Sequence, residues 1–71
     1  MRIHRHTEVN VLGYRIDRVE QCDRDGSIAL RWYEVLAPES ADLLGSFAHR
    51  AEAERAIVSR ELDAWRRPAA A

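Results

Sequence analysis

Few side chains in this sequence are of types and spacings that could do chemistry. His4 and His6 stand two apart and on a strand share one face, with Cys22 and His49 elsewhere as further metal ligands. Zinc sites, however, repeat paired Cys or His at fixed spacings, and no such pair recurs here. The His-Arg-His start reads better as an exposed strand entry. The run DRDG, Asp23 to Gly26, has the flavour of a calcium loop. With Gly26 at the loop's glycine position, though, Gln21 falls on the first ligand position and Trp32 on the closing acidic one, which excludes it.

Nucleophilic and acid–base chemistry fare no better. Ser27, Ser40, Ser46 and Ser59 lack any sign of a base and an orienting acid, and no phosphate-cradling glycine loop is present. Cys22 has no evident cation beside it to lower its pKa, and Glu52 and Glu54 read as a solvated helix surface. The expectation is a protein without catalysis, cofactor or metal.

The elements that position these residues follow from pattern. Val9 to Glu20, VNVLGYRIDRVE, is rich in β-branched and aromatic residues and reads as one strand with Gly13 marking a bulge. DRDG is a hairpin connection, and a second strand runs from Ser27 to Ala37. Pro38 cannot donate to a ladder, so PESAD turns the chain into a short third strand, LLGSF. From Arg50 the residues are strong helix formers without Gly or Pro, ending before Pro68, with His49 or Ser46 as the cap. Residues 1–8 and 67–71 read as less ordered ends of a single domain spanning 1–71. The predicted fold class is α+β, a three-stranded antiparallel sheet packed against one C-terminal helix.

That helix carries two apolar stripes at 3.6 residues per turn. Ala53, Ala56, Ile57 and Ala64 suit close packing on a sheet, while Val58, Leu62 and Trp65 form a second stripe at i, i+4, i+7. Either the sheet and the N-terminal segment wrap both stripes, or the second faces another molecule.

Composition bounds the partners. Seventy-one residues supply about 3–5 kcal/mol of net stability from a single core, so self-association or a partner helps. One cysteine excludes an internal disulfide, and with no membrane-length apolar run or signal pattern the setting expected is cytoplasmic. All 11 basic residues are arginine, against 12 acidic ones, for a net charge of -1. That balance lacks the basic excess of a general nucleic-acid binder. The arginine bias fits bidentate contacts, or equally GC-rich coding.

The run LGSFAHRAEAERAI, Leu44 to Ile57, preceded by WYEV and a Pro38 turn, resembles the DNA-binding domain of plant ethylene-response factors and the arm-binding domains of phage integrases. The resemblance, over Trp32 to Ile57, implies a three-stranded sheet on one helix, with a sheet face reading DNA. Its DNA-reading positions are not matched: Leu36 and Ala41 fall where arginines are expected, and Leu43 where a tryptophan is. Glu34 matches an acidic position. The same mapping puts Tyr33, Val35 and Leu44 under the helix and leaves Leu30, Trp32, Leu36 and Leu43 on the far face as an apolar patch suited to protein binding. Side-chain bulk argues the reverse, with Ile28, Leu30, Trp32 and Leu36 as core, because large aromatics dominate small cores.

Together these readings predict a small adaptor or stoichiometric inhibitor that binds a protein partner, with a homodimer and mobile-element encoding in the manner of an anti-CRISPR protein as further expectations. Its expected surface is Val58, Leu62, Trp65, Trp32, Leu36 and Leu43. The alternative is an integrase-arm-like DNA-binding module using Arg15, Arg18, Arg31, Tyr33, Arg66 and Arg67.

Overall fold

The computed structural model describes residues 2–66; Met1, Arg67 and the tail from Pro68 to Ala71 lie outside the described residues. Four strands precede one helix: β1 (Arg2–Val11), β2 (Tyr14–Cys22), β3 (Ile28–Leu36), β4 (Leu43–Phe47) and α1 (Arg50–Arg66). Each strand pairs antiparallel with the next, in spatial order β1-β2-β3-β4. The class is α+β, as the sequence indicates, but with four strands rather than three.

The extra strand comes from a turn that the sequence disguises. Leu12 and Gly13 both have positive φ, 52° and 89°, the signature of a two-residue type I′ hairpin whose twist matches that of its strands. Gly13 is therefore a turn and not a bulge, and the predicted strand from Val9 to Glu20 is two strands folded back on each other. Arg2 to Val11 pair along β2 from Arg2↔Cys22 to Val11↔Tyr14. The bulge lies instead at Thr7–Val9, where Glu8 is the extra residue. It shifts the strand's parity, so that His4, His6, Val9 and Val11 all face the helix side.

The other turns follow the sequence. At DRDG the Gly26 amide donates to the Asp23 carbonyl (3.0 Å), Asp23 N–H to the Ser27 carbonyl (2.8 Å), and Gly26 has φ 89°. Between β3 and β4 the Ala37 amide donates to the Asp42 carbonyl at 2.9 Å. The helix starts at His49, whose carbonyl accepts from Glu52 (3.1 Å) and Ala53 (3.3 Å), with Glu52 adding favourable negative charge in the first turn.

The core lies between α1 and one face of the sheet. Tyr14 and Ile16 of β2, Val35 of β3 and Ala53 and Ile57 of α1 form its buried centre, bordered by Val9, Val11, Tyr33, Leu44 and Phe47. Ala53 lets the helix backbone approach closely, and burying Ile16 and Ile57 contributes about 1.5–3 kcal/mol each. The helix covers β2, β3 and β4 and leaves β1 largely uncovered. Tyr33 and Val35 thus face the helix, and Trp32 is not core. It sits half-buried on the opposite face, against the expectation from bulk. Strand alternation decides this: with Tyr33 and Val35 against the helix, Trp32 points to the other face.

Candidate functional site

Among the described residues, the outer stripe of α1 is left largely uncovered. Val58 and Leu62 are about half exposed and Trp65 is 84% exposed. The N-terminal segment, one candidate wrapper, is instead committed to the sheet as β1. Among the described residues the β1–β2 hairpin tip comes near: Leu12, 64% exposed, shares a shallow apolar hollow with Val58, Glu61, Leu62 and Trp65. Leu12 was not legible as a surface residue, because a leucine between strand-like runs reads as strand interior. Glu61 closes the stripe's inner edge by accepting a hydrogen bond from the Tyr14 hydroxyl. That hydrogen bond, with burial adding to it, raises the Tyr14 pKa above its ordinary 10.0.

The far face of the sheet is less available than its sequence suggests. Leu36 is buried and Trp32 half-buried, leaving Leu30 and Leu43 exposed at 57% and 56%. Trp32 donates its indole N–H to Glu34 Oε2 (3.0 Å), and Arg5 reaches from β1 over β2 to Glu34 Oε1 (2.6 Å) and Asp17 Oδ2 (3.2 Å). Val19, in register with both Arg5 and Trp32, is shut beneath them. These bonds give the far face an internal role, and of the three residues expected to bind there, only Leu43 offers substantial surface.

The arginines of the DNA reading are engaged in the same way. Arg15 pairs with buried Asp17, its Nε 3.0 Å from Oδ1 but misaligned for a hydrogen bond at that atom. Arg18 bridges Glu8 (3.1 Å) and Glu20 (3.3 Å), and Arg31 holds Glu20 at 2.8 Å. Glu8 also lies 3.6 Å from Arg50 at the start of α1. Tyr33 is half-buried against the core, and Arg66 is exposed at the helix end. Arg67 lies outside the described residues. Among the described residues, Arg15, Arg18 and Arg31 are therefore each engaged with a carboxylate.

Among the described residues, no group of three or more His, Cys, Asp or Glu is placed to hold a metal ion. His4 and His6 stack 6.5 Å apart, and Cys22 is buried. No helix among these residues is long and apolar enough to cross a membrane. No family model, curated protein or solved structure matches the chain.

Proposed function

We propose that this chain is a small protein-binding module, an adaptor or stoichiometric inhibitor that works by occupying a partner's surface. The observation that carries the reading is the outer helix stripe. Val58, Leu62 and Trp65, with Leu12 beside them, form a contiguous apolar surface on a chain that has little core to spare.

Two further features support it. Leu12 adopts φ 52°, a left-handed position where asparagine or glycine is preferred and a leucine costs about 1–2 kcal/mol. An exposed, strained apolar residue next to an exposed apolar stripe is consistent with selection for contact. Meanwhile Arg15, Arg18 and Arg31 are neutralised by Asp17, Glu8 and Glu20, which weakens the case for phosphate binding.

The test is site-specific photo-crosslinking in cells making the protein, with benzoylphenylalanine replacing Leu62 or, as a control, Asn10 on the exposed edge strand. Polypeptide adducts at position 62 and not at position 10 are expected. Nuclease-sensitive adducts, or none at position 62, would overturn the reading.

A further inference from the structure

The outer face of α1 has the spacing of a helix-pairing seam. Ala51, Arg55, Val58, Leu62 and Trp65 follow a 4-3-4-3 repeat, placing all five on one stripe nearly opposite the sheet-packed Ala53 and Ile57. Along one flank of that stripe lie Glu52, Ser59 and Arg66, seven apart. On the other lie Glu54 and Glu61, and both of these are already engaged within the chain, by Arg50 at 2.9 Å and by the Tyr14 hydroxyl. Glu52, Arg55 and Arg66 make no ion pair among the described residues.

These unengaged charges have a pattern that is complementary to itself. When two copies of α1 run antiparallel about a two-fold axis near Arg60, Val58 of one meets Leu62 of the other, and the contact repeats by symmetry. The same register lays each Arg55 against the face of Trp65 from the second copy, a cation–π pairing. On the flank, Glu52 then faces Arg66 of the second copy, and Ser59 faces Ser59 across the axis. A parallel pair would instead stack Arg55 on Arg55 in the middle of the seam. Leu12, beside Leu62 and Trp65, extends the apolar surface at each end.

We infer that the occupant of this stripe is a second copy of the chain, docked as a two-fold antiparallel α1 pair. The inference rests on the protein-binding reading and names its partner. The seam and its flanks amount to about ten residues a side, fewer than the 20–30 of a standard interface, so the dimer is small and its Kd falls in the micromolar range, on the order of 1–100 µM.

Sedimentation equilibrium on the whole protein tests it, with circular dichroism checking that each variant folds. The expected result is a monomer–dimer equilibrium that Leu62→Asp weakens about 100-fold. Glu52→Arg and Arg66→Glu each place like charges together twice and weaken it about tenfold, while the double variant restores the Kd to within about threefold of the parent. A chain still monomeric at about 1 mM, a dimer indifferent to Leu62→Asp, or a double variant as weak as the singles would each overturn the proposal. Crosslinks from position 62 to a different polypeptide, with a monomer in the centrifuge, would overturn the dimer and leave the protein-binding reading standing.

Discussion

Glu34 ties three strands together on the face away from the helix. It receives the Trp32 indole from its own strand and Arg5 from β1, while Arg5 also holds Asp17 on β2. Burial alone would raise the Glu34 carboxyl. The Trp32 N–H and the Arg5 guanidinium outweigh that effect and hold the pKa below its ordinary 4.5. A carboxyl lowered on folding stabilises the protein above its unfolded pKa, and that contribution fades as pH falls through the folded value. Glu34→Gln is therefore expected to cost roughly 0.5–1.5 kcal/mol at about pH 6 and progressively less below about pH 4.5. Urea unfolding of both proteins at a series of pH values checks this. Stability curves that stay parallel down to about pH 3 would remove Glu34 from the account. The same network explains the fate of Trp32: its indole N–H has a partner on the far face, whereas Ile16, Val35, Ala53 and Ile57 offer no side-chain acceptor and the Tyr14 hydroxyl is already bonded to Glu61.

At the scale of elements, the β1–β2 hairpin carries a conflict between folding and surface. Leu12→Asn puts a residue tolerant of positive φ into the turn and removes an exposed apolar side chain, so the folded chain gains about 0.5–1 kcal/mol. The hollow beside Trp65 loses one wall at the same time, so self-association weakens. Thermal melts at a concentration low enough to keep the chain monomeric, paired with sedimentation, separate the two effects. A variant that melts no higher, or associates as strongly, would break the link between strain and contact. This turn also shows what the sequence concealed. Type I′ hairpins announce themselves as Asn-Gly or Asp-Gly, and Leu-Gly inside a β-rich run carries no such mark, so β1, nine of whose ten residues pair with β2, is not legible as a separate strand. The helix, the DRDG turn and LLGSF were legible because their residues agree with their local structure: strong helix formers without breakers, and aspartates and a glycine at a positive-φ turn. The outer stripe of α1 was legible from its spacing, but Leu12 joins it only through a hairpin that no periodicity predicts.

For the whole molecule the question is how so little core holds so long a sheet. The radius of gyration is 14.7 Å, against about 11 Å for a compact chain of this length, because the helix covers only part of the long sheet and leaves β1 largely uncovered. A chain of 71 residues in that shape has little stability in reserve, and association is the available supplement. If two copies pair through α1, folding and association are linked by mass action. Each tenfold rise in concentration above the Kd then adds about 1.4 kcal/mol per dimer, or about 0.7 kcal/mol per chain. For a domain of this size that shift is on the order of 3–5 °C in Tm. Melting curves recorded from about 1 µM to 1 mM are expected to climb above the Kd for the parent chain and, for Leu62→Asp, to begin climbing only at a concentration about 100-fold higher. The substitution itself is mild for the monomer, since Leu62 is already 47% exposed. A parent Tm that does not move with concentration would mean that the sheet's extended half is stable on the strength of its own ion pairs, with Glu20 between Arg18 and Arg31 tying β2 to β3.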